Sequence, residues 1–242
     1  MYKRQSYNSL EEIGATGYNN GISITAVSSI KDDKLVVDLY PINKSSYHLL
    51  SLSGSPIAYK GEDLYLQTNK GTKSYITAFP EVMSAPNKRF TFDLNDGTKE
   101  FTLKIPYIIV QSNEQKNISI PIPDMGQTLM FNQKVEFTDS SLIIKTVQRR
   151  SDFGDSKDSL KVDVEYENKN SSKIMLKAEF GRIDFWGNNQ KNGGYSGEFN
   201  KDGIETTEYF PLEKDDNGSI RLKVSNPEYA LLGEYSLKLT PE

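Results

Sequence analysis

Apolar and polar residues alternate strictly along most of this chain, and a period of two marks a strand with one face in a core and the other in water. Ile22, Ile24 and Ala26 alternate with Ser23 and Thr25, and Leu35, Val37 and Leu39 repeat the pattern after a turn at Lys31-Asp32-Asp33. Phe90, Phe92 and Leu94 on one side of Asn95-Asp96-Gly97, and Phe101, Leu103 and Ile105 on the other, read as a hairpin, because those turn residues tolerate positive φ. Ile118-Ser119-Ile120-Pro121-Ile122-Pro123-Asp124 reads as a strand ended by prolines, which cannot donate to a ladder, and the domain boundary is placed there. Beyond it the alternation restarts at Val135 and Phe137, runs through Leu160, Val162, Val164 and Tyr166, then Ile174, Leu176, Ala178 and Phe180, and ends at Tyr235, Leu237 and Leu239. Many short strands separated by turns imply an all-β chain of two antiparallel β-sandwich domains, residues 14–124 and 125–242. Helical signals are limited to Ser9 to Ile13 and to Asn226-Pro227 with Gly233 following, a cap, a first-turn proline and a C-terminal glycine.

The composition removes several classes of function. With 29 Lys+Arg against 33 Asp+Glu the net charge is -4, which argues against nucleic acid as a partner because phosphate binding takes a basic face. The basic excess lies before the boundary, with 13 basic and 12 acidic residues up to Pro123 and 16 and 21 after it. No cysteine means no disulfide framework, thiolate nucleophile or thiolate metal site, and the single histidine, His48, excludes a multi-histidine metal centre within one chain. The apolar stretch from Ile105 to Val110 is broken by Pro106 and falls far short of the ~20 residues needed to cross a bilayer. Met1 to Gln5 lead into polar residues with no apolar h-region, so no signal peptide is expected; the protein is cytoplasmic or has lost an upstream anchor.

Candidate chemistry is sparse. His48 sits among serines without a nucleophile-elbow motif, so it carries no expected catalytic role, and glycine-rich phosphate loops are missing. No cofactor is expected. Asp152, Asp155 and Asp158 are spaced by three, and Asp215, Asp216 and Asn217 precede Gly218; oxygen-bearing loops suit calcium, but neither matches the twelve-residue loop with its terminal glutamate, and solvated turns account for both. The most suggestive stretch is Asp184-Phe185-Trp186-Gly187-Asn188-Asn189-Gln190-Lys191-Asn192-Gly193-Gly194-Tyr195. Phe185 alternates with Ile183 toward the core, which puts Trp186 on the opposite face. Aromatic rings beside amide side chains suit sugars, which offer apolar faces and hydroxyls, so Trp186, Asn188, Asn189 and Tyr195 are the candidate ligand contacts on a Gly187 to Gly194 loop. A tryptophan that merely covers a sheet edge is the plainer alternative.

At Asn19-Asn20-Gly21-Ile22-Ser23-Ile24-Thr25-Ala26-Val27, at Lys31-Asp32-Asp33-Lys34-Leu35-Val36-Val37 and at Gly97-Thr98-Lys99-Glu100-Phe101-Thr102-Leu103-Lys104-Ile105-Pro106, the chain resembles the extracytoplasmic β-domains of membrane-anchored Gram-positive proteins, anti-sigma-factor-like proteins among them. Gln133-Lys134-Val135-Glu136-Phe137-Thr138 through Arg182-Ile183-Asp184-Phe185-Trp186-Gly187 is similar to the immunoglobulin-like domain that often follows. The resemblance implies tandem immunoglobulin-like sandwiches at the cell surface of a Gram-positive bacterium, anchored through a segment absent from this chain. It also implies a non-catalytic sensory or protein-interaction role, with a protein or cell-wall component as partner. Two readings from other classes stay open: a cell-wall or carbohydrate-binding module using Trp186 and Tyr195, and a surface hydrolase with carboxylate chemistry.

Overall fold

Two-residue turns set the first strands. Asn20 and Gly21 both take positive φ (50° and 77°), as do Asp32 and Asp33 (50° and 59°), the backbone that tight hairpins with matching twist require. They join β1 (Ala15–Asn19), β2 (Ile22–Lys31) and β3 (Lys34–Asn43) in register, Asn19 opposite Ile22 and Lys31 opposite Lys34. The computed structural model describes residues 14–52, 62–76, 88–94, 100–151, 158–183, 189–191, 194–200 and 203–240, with backbone alone at 88, 189–191, 194–200 and 203–204.

The remaining strands are β4 (His48–Ser51), β5 (Tyr65–Thr68), β6 (Lys73–Tyr75), β7 (Lys88–Asp93), β8 (Phe101–Gln111), β9 (Gln115–Pro121), β10 (Thr128–Glu136), β11 (Ser140–Arg150), β12 (Ser159–Asn168), β13 (Lys173–Ile183), β14 (Asn189–Lys191), β15 (Gly194–Asn200), β16 (Gly203–Pro211) and β17 (Ser219–Leu239). The protein is all-β, its sheets are antiparallel, and no helix occurs among the described residues. The helix expected after Asn226 is instead part of β17. Asn226 takes φ 53° and Gly233 φ 148°, so the residue types that could cap a helix here interrupt one long strand.

The chain forms two compact units, Met1–Val110 with Ala230–Glu242, and Gln111–Tyr229. It therefore leaves the first unit and returns to it, whereas the sequence pattern suggests one break, at Asp124. β9 ends at Pro121, as a proline-terminated strand should, but first pairs with β17 from Ser225 to Ser219.

In the first unit one sheet has the order β1-β2-β3-β7, while β8 pairs with β17, β5 and β4, and β6 adds to β5. The hairpin expected between Phe90 and Ile105 does not form. β7 pairs with β3, and β8 belongs to another sheet, because alternation reports the buried face of a strand and not its neighbour. Ile22, Ile24, Leu35, Val37, Leu39, Phe90 and Phe92 are fully buried, as are Leu103 and Ile105, and each such side chain contributes about 1.5–3 kcal/mol. The end of β17 reaches β1 directly: the Tyr235 hydroxyl donates toward the carbonyls of Asn19 (2.9 Å) and Ile22 (3.2 Å), the two residues flanking the Asn20-Gly21 turn. A Cβ on Gly17 would lie 2.8 Å from Leu237, and one on Gly233 would lie 2.0 Å from Asn19 Nδ2, so both glycines permit this close approach.

In the second unit β10-β11-β12-β16-β15 form one sheet, and β17 pairs with β13 and β9, with β14 beside β13. The two apolar faces interlock in a sandwich-like core. Phe180 on β13 and Phe210 on β16 lie 6.4 Å apart, and the Tyr166 hydroxyl on β12 accepts from the backbone of Ala178 and from Thr206. Ser140 contacts both the Tyr229 hydroxyl and Met175 at 3.0 Å, which satisfies buried polar atoms at the base of that core.

Candidate functional site

The stretch singled out for ligand binding is not one loop. Asn189 to Lys191 form β14, whose ladder sets Asn189 opposite Ile183 and Gln190 opposite Arg182, and the chain then enters β15, where Tyr195 stands opposite Glu208. Asn189 and Tyr195 are thus held on two different sheets of the second unit, while Trp186 and Asn188 lie outside the described residues. From Leu176 onward the buried positions of β13 are Leu176, Ala178, Phe180 and Arg182, so Ile183, half-buried, falls on the other face. That removes the parity argument by which Phe185 was assigned to the core and Trp186 to solvent; both residues lie outside the described ones.

What sequence reasoning misses is the anchor beneath this stretch. The Arg182 guanidinium, only 8% exposed, donates to the Pro211 carbonyl at 2.7 Å and forms an ion pair with Asp216. Asp216 in turn accepts from the backbone N–H of Glu213 at 2.6 Å. The acidic turn at Asp215 and Asp216 is therefore tied to a buried cation, and its carboxylate at 216 is committed. A legible signal existed: Arg182 occupies a core-parity position of its strand, and a charge there needs a partner. Glu208, 1% exposed on β16, breaks the pattern in the same way.

Asp158, the described member of the calcium candidates, accepts both arms of the Arg149 guanidinium at 3.0 and 2.6 Å, a bidentate pair that occupies its oxygens. Asp152 and Asp155 lie outside the described residues, and among the described residues no group of three or more acidic or histidine side chains could hold a metal ion. His48 is exposed on β4.

Among the described carboxyls with displaced titration, Glu228 and Asp163 are the ones substantially withdrawn from water. Glu228 on β17 pairs with Lys177 at 3.2 Å; burial pushes its carboxyl above the ordinary range, the ammonium only partly offsets this, and the charge of Glu179 adds to the rise. Asp163 on β12 goes the other way. Burial alone would raise it, but hydrogen bonds from Thr146 (2.5 Å), Thr207 (2.8 Å) and Lys161 outweigh that and hold it below the ordinary range. It belongs to a face on which Lys134 meets Glu167 (2.9 Å) and Lys145 meets Glu165 (2.8 Å) across strands, an arrangement suited to water.

No family model, curated protein or solved structure matches this chain.

Proposed function

We propose that this chain is the non-catalytic extracytoplasmic portion of a membrane-anchored Gram-positive protein, two immunoglobulin-like sandwiches acting as a sensory or protein-interaction module. An anti-sigma factor is the most specific form of this reading. The resemblance in the strand and turn motifs supports the location. The observation that best supports an interaction role is on β10, which pairs with β11 alone among the described strands: Met125, Leu129 and Met130, at and before this edge, are all exposed. The Asn132 bulge (φ 50°) interrupts the ladder there, so a partner would engage side chains more than backbone.

Membrane fractionation and protease treatment of intact host cells test the location: the full-length product should sediment with membranes and be cut from outside, and a cytosolic, protected product overturns the reading. A photo-crosslinking residue at Met130 should give a discrete adduct on cells, and the lack of one removes the interaction role from this edge. Ester and glycoside substrates should turn over at background rates. Turnover that vanishes on replacing one Asp, Glu, Ser or His would contradict a non-catalytic module.

A further inference from the structure

The register of the first sheet builds a surface feature that neither sequence motif nor charge reveals. Tyr18 stands opposite Ser23, and Ser23 opposite Ile42; one row along, Thr16 stands opposite Thr25, and Thr25 opposite Tyr40. Residues paired this way share a face, and this is the face away from the core formed by Ile22, Ile24 and Leu39. Tyr18 and Ile42 therefore rise from strands about 10 Å apart, two strand spacings, with only the short Ser23 between them. The result is a shallow trough with Tyr18 and Thr16 along β1, Tyr40 and Ile42 along β3, and Ser23 between them, Thr25 being buried.

Its walls are open and its floor is fixed. Tyr18 is 70% exposed and Ile42 43%, while Thr25 is 2% exposed and its hydroxyl bonds that of Thr16 at 2.8 Å. The end beside Ile42 is braced by Asn43, whose side chain accepts from the N–H and hydroxyl of Ser45 and donates to the Tyr47 carbonyl. The Lys44 N–H also closes onto the Gly21 carbonyl at 2.9 Å. None of the six trough residues carries a charge. Farther along the same face Arg89 pairs with Asp38 at 2.8 and 2.9 Å and Lys34 with Asp93 at 3.5 Å.

We propose that this trough binds an uncharged glycan chain, with sugar rings laid against Tyr18 and Tyr40 and their hydroxyls received by Ser23 and Thr16. The chemistry selects that occupant: an aromatic ring offers stacking to the C–H face of a pyranose, the Ser23 and Thr16 hydroxyls can pair with alcohols, and an uncharged lining gives no recognition to a phosphate, a uronate or an ionic peptide. This site is separate from the Trp186 to Tyr195 stretch and stands independently of the membrane-anchored reading.

The test is a titration of the whole isotope-labelled chain, followed by amide NMR, with two neutral probes: the hexamer of β-1,4-linked N-acetylglucosamine and the hexamer of β-1,4-linked glucose. At least one should shift the amides of Ser23, Thr25, Tyr40 and Ile42 with a millimolar or tighter Kd. Tyr18→Ala should weaken binding by about fivefold or more, the loss of one stacked ring, and keep a dispersed spectrum because the side chain is exposed. Ile42→Ser should weaken it less, and Lys116→Ala, exposed on β9 of the second unit, should leave it unchanged. Three results overturn the proposal: no shift with either hexamer at about 5 mM, shifts confined to another region, or binding that Tyr18→Ala and Ile42→Ser both leave intact. A fourth does so as well: trough signals that move with protein concentration alone, together with a sedimenting dimer abolished by Tyr18→Ala, would give the face to a second copy.

Discussion

The two units cover their outer sheet faces with different chemistry. On β1 to β3 the outward rows are Tyr18, Ser23 and Ile42, then Thr16, the buried Thr25 and Tyr40, whereas on β10 to β12 cross-strand pairs of lysine and carboxylate cover the sheet. Both faces satisfy the same alternation, since either set is tolerated by water on one side of a strand. The second face is laced by cross-strand ion pairs; the first instead exposes an aromatic and an aliphatic side chain, Tyr18 and Ile42. The inner locks differ too. The first unit is fastened by a neutral hydroxyl, Tyr235 on Asn19 and Ile22, and the second by a buried ion pair, Arg182 with Asp216.

The sharpest way to break this comparison is to remove both locks. Tyr235→Ala and Arg182→Met are each expected to cost about 3–5 kcal/mol, the first through a lost buried ring and the second through the largely shielded Asp216 carboxylate left without its cation. Residue-resolved hydrogen exchange should show β1 to β3 losing protection in the first variant and β13 and the 211–218 turn in the second. If either variant melts both units equally, the division into separately fastened units fails. A smaller effect, about 1–3 kcal/mol, is expected for Gly233→Ala, because an alanine resists φ 148° even where the Asn19 side chain can swing away; urea titration measures it.

Those locks were only partly legible in the sequence. The β2–β3 hairpin could be read from Leu35, Val37 and the two aspartates, because pattern and turn chemistry agreed. The pairing of β7 with β3 could not, since Phe90 and Phe92 announce a buried face without naming the neighbouring strand. Asn226, Pro227 and Gly233 misled because positive-φ residues serve helix ends and strand irregularities alike. Of the candidate ligand residues, Asn189 and Tyr195 were visible as types, but the chain's passage between two sheets there depends on ladders formed with residues far away in sequence.

Acid should separate the two faces. The Asp163 carboxyl titrates lower in the folded state than its ordinary 3.8, so its contribution is present above about pH 4 and is lost as pH falls through the folded value. Asp163→Asn is therefore expected to destabilise the second unit by roughly 1 kcal/mol at pH 7, and the difference from wild type should shrink below pH 3. Denaturant midpoints at the two pH values check this. Smallest of all, about 0.5 M salt should lower the stability of either unit by less than about 1 kcal/mol, because the exposed pairs on both are weak and screened.

The return of the chain at Ala230 has a consequence during translation. Residues Gln111–Tyr229 are contiguous and can complete their unit as soon as they emerge, whereas β1 to β8 lack Tyr235, Leu237 and Leu239 until the residues beyond Ala230 have been made. At ~5–20 residues per second, the ribosome takes on the order of ten seconds to pass from Val110 to Ala230. For that interval β1 to β8 wait with their apolar faces unsealed, so of the two units the one begun first is the one completed last.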